Sequence, residues 1–235
     1  MFLINNHELF DSIDKFVMHH KFTNMLKNLD GIRNIIFDFG GVIIDLDFSR
    51  TEKAFKKLSI PDFKGKMNQA VEGELFMDFE KGLISPNDFR NKLRYLAERN
   101  ISDKEIDDAW NQLILDIPEK RINLLLKLRE KYQLFLLSNS NIIHYEFYTN
   151  NLKKRHGFNS LDDLFDKTFF SFNLKMYKPG PEIYKTVIDK AGIKSEESLF
   201  IDDNVINLEG AQKLGIKTLH SPQDVEISEQ LLDLI

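Results

Sequence analysis

Four short apolar runs in this chain each end on groups that can do chemistry. Ile35-Ile36-Phe37 runs into Asp38 and then Gly40-Gly41, and Leu134 to Leu137 runs into Ser138-Asn139. Thr168-Phe169-Phe170 leads to a loop holding Lys178-Pro179, and Ser198 to Ile201 runs into Asp202-Asp203. A nucleophilic carboxylate, a hydroxyl donor, a fixed positive charge and two further carboxylates are the parts that phosphoryl transfer needs. That reaction asks for an in-line nucleophile and neutralised phosphoryl oxygens more than for elaborate covalent chemistry. In this set Asp38 would take the phosphoryl group and water would later release it. Carboxylates of this kind, with waters, suit Mg²⁺. Each residue alone is a weak signal. An Asp before a glycine caps turns, Ser-Asn often starts a helix, and a lone lysine is usually solvated. The set is informative because an open parallel sheet binds its ligands just outside the carboxyl ends of its strands.

The elements that must position these residues are readable too. After residue 131 short apolar runs alternate with helical patterns. Pro181 to Ala191 has a proline in its first turn and stops at Gly192, a further helix runs to Leu214 before Gly215, and Lys217-Thr218-Leu219 suits a last strand. Such alternation predicts an α/β fold, a doubly wound (Rossmann-like) parallel sheet. Between Arg50 and Glu130 apolar residues recur three or four apart, over Met67–Lys81, Pro86–Arg99, Asp103–Leu115 and 119–131. The division expected is a core of residues 31–49 and 126–235, with a helical cap, 50–125, inserted after the first strand. Residues 1–30 form an N-terminal extension. Leu9, Phe10, Ile13, Phe16 and Val17 give it a helical stripe, best read as a helix docked on its own domain.

Composition narrows the function. The chain has 235 residues, 42% hydrophobic and 29% charged, enough for a full core. Its twenty phenylalanines are read as core filling. A net charge of −5 gives no reason to expect nucleic acid or a membrane as partner, so an anionic substrate must be held by local groups. No cysteine is present, which removes disulfides and thiolate chemistry and fits a reducing, cytoplasmic location. No run approaches the roughly 18 apolar residues of a membrane span, and no signal peptide is evident. Nothing in the sequence sets an oligomeric state.

The segments IIFDFGGVIIDLD, LLSNSN, MYKPGPEIY and FIDDNVINLEGAQKLGI resemble the four ordered motifs of the haloacid dehalogenase superfamily, over about Asn34 to Leu219. They are most similar to its phosphatase branch with a helical cap. Within it they resemble the subgroup that includes bacterial α-D-glucose-1-phosphate phosphatase, where the first motif often reads aspartate-x-glycine. The resemblance implies Mg²⁺ and a small phosphorylated metabolite, with sugar phosphates among the candidates. Asp38 would be nucleophile and metal ligand, joined at the metal by the Gly40 carbonyl and Asp203. Asp202 would orient Lys178 or a water, or touch the metal itself, and Asn207 would buttress the pair. Ser138 and the Asn139 backbone would hold the phosphate, Gly41 would let the backbone come close, and Lys178 would tie Asp38 to the phosphate.

One departure matters. Most phosphatases of the superfamily carry a second aspartate at the place of Gly40, as general acid and then base. Asp45 and Asp47 lie downstream but suit a linker. Glu74 and Glu80 on a cap helix and His144 are the groups that could replace the acid, although each reads more simply as a helix surface residue. Other functions share the motifs: a metal-free haloacid dehalogenase, a weakened member that binds phosphate or a partner without turnover, and a phosphomutase, whose transfer back to a sugar would use the missing acid. The acidic pair argues against the first, and the complete set of strand-end groups argues against the second.

Overall fold

The computed structural model describes residues 30–60, 63, 65, 70–97 and 100–234, so the helices expected before residue 30 lie outside the described residues. Strands β1 (Asn34–Phe37), β2 (Gln133–Ser138), β3 (Lys167–Phe170), β4 (Ser198–Asp202) and β5 (Lys217–His220) make one parallel sheet in the order β3-β2-β1-β4-β5. Both faces are covered, which is why the central strands read as unbroken apolar runs. Side chains alternate across the sheet. Ile35, Phe37, Leu134, Leu136, Leu199 and Ile201 face one core, while Ile36, Phe135, Leu137 and Phe200 face the other.

Helix α5 (Glu119–Leu128) follows the helices described below, and α6 (Ile142–His156) joins β2 to β3. Both pack on the first of these cores, through Ile122, Leu125 and Leu128 and through Tyr148 and Leu152. The short α7 (Ser171–Leu174) follows β3 directly. Helices α8 (Pro181–Ala191) and α9 (Val205–Gln212) cover the opposite face with Ile183, Tyr184, Val187, Leu208 and Ala211. A last short helix, α10 (Ile227–Gln230), closes the described chain.

Among the described residues four helices can be bounded between β1 and α5: α1 (Phe48–Lys57), α2 (Ala70–Glu80), α3 (Pro86–Ala97) and α4 (Asp103–Asn111). Asp47 caps α1, accepting from Ser49 N at 2.9 Å, and Ser102 with Glu105 forms a capping box on α4. These helices share a core of their own, rich in rings. Phe55 stacks on Phe63 and Phe79 on Phe89, both with centroids 4.1 Å apart, and Trp110 sits against Phe76 and Phe89. Five of the twenty phenylalanines are used here, as filling. Helix α5, part of which falls inside the expected cap range 50–125, packs on the sheet instead. Leu46 and Ile114 pair as an antiparallel bridge where the chain enters and leaves this helical unit. Among the described residues no helix is long and apolar enough to cross a membrane.

Candidate active site

Strand register builds the floor of the site. Phe37 lies opposite Ile201 in the neighbouring strand, and Asp38 N donates to the Ile201 carbonyl at 2.8 Å, so Asp38 and Asp202 emerge side by side. On the other flank Phe37 lies opposite Leu136, which brings the end of β2 and Ser138 to the same edge. Lys178 comes from the loop after α7, and Asn139 fixes it there. The Asn139 side chain accepts from Lys178 N at 3.0 Å and donates to the Lys178 carbonyl at 3.1 Å.

Lys178 is 2% exposed and lies between two carboxylates, with Nζ 2.8 Å from Asp38 Oδ1 and 2.7 Å from Asp202 Oδ2. It also donates to the Leu137 carbonyl at 3.1 Å. Burial works to lower its pKa, but Asp38 and Asp202 outweigh burial and hold it above the ordinary lysine range. Asp38 is pushed up by burial first, against the pull of Lys178, and Asp202 and Asp203 add to the rise. Asp203 is raised as well, by burial and by Asp202, against a hydrogen bond from Gln223.

The adjacent aspartates differ in what they touch. Asp202 accepts from Lys178, from Asn207 Nδ2 at 3.0 and 3.1 Å, and from Asn204 N at 2.8 Å, so both its oxygens are engaged. Asp203 accepts from Gln223 Nε2 at 2.6 Å through Oδ2. Gly41 makes room for it. At φ +78° only glycine is comfortable, and a Cβ there would stand 2.6 Å from Asp203 Oδ2 and 2.7 Å from Gln223 Nε2. Its N–H is taken by the Ile44 carbonyl at 2.8 Å, so what Gly41 brings to the site is space.

Ligand atoms of Asp38, Asp202 and Asp203 lie within 4.8 Å of one another. One ammonium faces these three carboxylates, which leaves an excess of negative charge in a largely buried place. Hard oxygen donors with unbalanced charge, and a glycine keeping space beside them, fit a hard divalent cation such as Mg²⁺.

A cleft of about 260 Å³ opens above this floor, lined by Asp38, Gly40, Asn139, Lys178 and Asp203 from the strand ends. Ser138, Gly41 and Asp202 each stand one residue from its walls. The far wall is Leu46, Phe48, Glu80, Trp110, Leu113 and Ile114, with Tyr177, Asn204, Asn207 and Gln223 at the sides. Of the groups read from sequence as surface residues, Glu74 is exposed as expected. Asp45 pairs with Arg121 at 2.8 Å, away from the cleft lining.

His144 corrects its expectation. Helix α6 begins between the sheet and the inserted helices, so its first turn has no watery side, and His144 is 4% exposed. Its ring stacks on Trp110 with centroids 4.7 Å apart. Nε2 lies 3.2 Å from the Trp110 carbonyl, which only accepts, so Nε2 carries the proton and Nδ1 accepts from Asn141 Nδ2 at 3.1 Å. Burial lowers its pKa to about 4, against the Trp110 hydrogen bond. The N-cap of α6 is likewise Asn141, not Ser138-Asn139: its Oδ1 accepts from His144 N at 3.1 Å and from Trp110 Nε1 at 3.2 Å. Sequence reading missed Asn141, Trp110, Tyr177 and Gln223. Tyr177 had a signal in its place beside Lys178, whereas Gln223 sits in a loop after β5 that carries none.

Comparison with known proteins places the fold in a family. The haloacid dehalogenase-like hydrolase family matches residues 32–215. A D-ribitol-5-phosphate phosphatase of Bacteroides thetaiotaomicron is 30% identical over 200 residues, covering 85% of this chain and 97% of that protein. The crystal structure of a haloacid dehalogenase family enzyme from the same organism superposes with a TM-score of 0.81 at 42% identity, covering 85% of this chain and 98% of that one. Its complex with magnesium and inorganic phosphate gives 0.76 at 41% identity, covering 84% and 98%. The family match runs from just before β1 to just after α9 and so takes in the ends of β1 to β4: this chain belongs to the haloacid dehalogenase-like hydrolases.

Proposed function

We propose that this hydrolase is a Mg²⁺-dependent phosphatase acting on a small phosphorylated polyol or sugar, with Asp38 as the residue that is phosphorylated. The observation that carries the reading is the position of Lys178, held between Asp38 and Asp202 with Asp203 alongside. Lys178 engages Asp38 Oδ1 and leaves the other oxygen to attack phosphorus. Its charge favours the Asp38 anion against burial and would meet a phosphoryl oxygen at the same point. Ser138, with the backbone N–H of Asn139 and the N-terminus of α6, would receive the remaining phosphoryl oxygens. Asp38, the Gly40 carbonyl and Asp203 would hold Mg²⁺, and Asp202, its oxygens already engaged, would position Lys178 from behind. The ion's contribution there is neutralisation of charge on the phosphoryl oxygens.

The substrate class is suggested by the size of the cleft and by the named activity of the ribitol-phosphate relative. A metal-free dehalogenase has no use for three converging carboxylates. The mild acidity and the lack of cysteine agree with a cytoplasmic enzyme that meets neither nucleic acid nor membrane. The test is phosphate release from a panel of polyol, sugar and aryl phosphates, with Mg²⁺ and after exhaustive chelation. Release is expected with Mg²⁺ alone. Turnover that survives chelation, or dehalogenation of a 2-haloacid in place of phosphate release, would overturn the reading.

A further inference from the structure

We propose that Glu80, the last residue of α2, is the proton donor and acceptor that this chain lacks at Gly40. The inference rests on the phosphatase reading and adds a catalytic residue to it. An ester oxygen leaving as an alkoxide needs a proton, and the water that later attacks the phosphoenzyme must lose one.

The titratable groups that line the cleft are few. Asp38 is the nucleophile, Asp203 belongs to the cation site, and Lys178 is shared by two carboxylates. Tyr177 is held far above its ordinary range by burial and by Glu80 beside it, and Tyr148 by burial, so both hydroxyls keep their protons. His144 has both ring nitrogens bound, and Glu74 lies outside the cleft. Glu80 remains. Tyr177 OH donates to its Oε2 at 2.8 Å, and among the described residues no hydrogen bond is made to Oε1.

Glu80 is also fixed to the right part of the molecule. Ser171 Oγ lies 2.5 Å from the Glu80 carbonyl oxygen and accepts from Ser140 N at 2.9 Å. Lys175 holds the Gly82 carbonyl just beyond. The end of α2 is therefore tied, through Ser171, to the loop that follows Ser138, although the rest of the helix belongs to the ring-filled unit above. Burial raises the Glu80 carboxyl pKa, against the Tyr177 hydrogen bond. Tyr177 is the titratable group that faces the carboxyl, and Lys175 is the nearby cation on the element packed against it.

The steps balance. As an Asp38 oxygen bonds to phosphorus and the P–O bond to the leaving group breaks, the Glu80 carboxylic acid gives its proton to the departing oxygen, releasing an alcohol. The resulting carboxylate then takes a proton from water as the water oxygen bonds to phosphorus. The bond to Asp38 breaks, inorganic phosphate leaves, and Glu80 is again an acid.

The test uses Glu80→Gln in the full chain with Mg²⁺, comparing an alkyl ester, D-ribitol 5-phosphate, with 4-nitrophenyl phosphate under rapid mixing. For the alkyl ester, the single-turnover rate should fall by about 10²-fold or more. The aryl ester, whose leaving group needs no proton, should give a burst of nitrophenol at nearly the wild-type rate, followed by slow turnover. Equal losses on both esters, or no loss on either, would overturn the role of Glu80 while leaving the phosphatase reading intact. A wild-type protein that releases phosphate from neither ester would overturn both. Tyr177→Phe gives a second measure that keeps the carboxyl. Losing the donor to Oε2 disfavours the carboxylate, so the alkaline fall in alkyl-ester kcat/KM should move to higher pH. A limb that does not move would count against the assignment.

Discussion

The floor of the cleft and the seam above it bury polar groups to similar depth, yet hold them in different states of charge. On the floor, Asp38 and Asp202 flank Lys178 within 2.8 Å, and pairing with the ammonium opposes the burial that raises Asp38. At the seam, Trp110, Asn141 and His144 form a closed set of neutral hydrogen bonds, and burial holds the imidazole unprotonated. Ionised groups are kept where a phosphate and a cation complete them. Neutral ones are used where only a fixed orientation between α4 and α6 is needed. Changes on the floor should therefore strike chemistry, and changes at the seam should strike stability.

The largest effect should come from Asp38→Asn, an almost isosteric change that removes the nucleophile. Turnover should fall by about 10⁴-fold or more, with melting temperature and phosphate binding by calorimetry little changed. Retained turnover would move the nucleophile elsewhere and blur the contrast. Lys178→Met should be severe in both respects, because it leaves Asp38 and Asp202 facing each other without a cation.

At the seam, pH is the probe. The folded pKa of His144 is lowered from 6.5 to about 4, so the unfolded chain binds the extra proton first on acidification. The stability that the neutral ring contributes should be complete above pH 6.5 and lost as pH falls toward 4, on the order of 3 kcal/mol in all. Thermal melts of wild type and His144→Gln should converge over that window. Parallel curves would mean that the ring is not held neutral.

The smallest effect lies between the two regions in character, at Glu226, which caps α10 and pairs with Arg121 at 3.1 Å. Burial would raise its carboxyl, but hydrogen bonds from Arg121, Lys120 and Ser228 outweigh it and hold the pKa at about 2. Its folded pKa lies below its unfolded value of 4.5, so its contribution is present above pH 4.5 and is lost as pH falls toward 2. Partial exposure screens the pair, and Glu226→Gln should cost about 1–2 kcal/mol at neutral pH. Urea titrations at pH 7 and pH 3 would check the difference.

The floor was legible in sequence because a parallel strand is local. A run such as Ile35-Ile36-Phe37 ends where its apolar residues end, and parallel register then brings Asp38 beside Asp202 without further information. Helix limits were legible to within a turn or so except where tertiary pairing intervened. The pattern over Asp103–Leu115 overruns the helix that ends at Asn111, because Leu113 and Ile114 are apolar for another reason: they pack at the bridge to Leu46. The seam was not legible, and Glu80 could be named beside Glu74 and His144 but not chosen among them. Which side of α6 meets α4, and where the end of α2 comes to rest, are decided by contacts distant in sequence. Ser171 reaches Glu80 across 91 positions, and no periodicity encodes that.

The pairing of Leu46 with Ile114 has a consequence for how such a molecule can change. The chain departs from the sheet side and returns to it at adjoining points, so everything between is a detour with its two ends together. Its removal, or its exchange for a segment of another length, would leave the order of the five strands and their register as they are. The strand-end floor and the helical unit above it are thus separate parts on one chain, and a replacement unit would need to supply only what Glu80 now brings to the cleft.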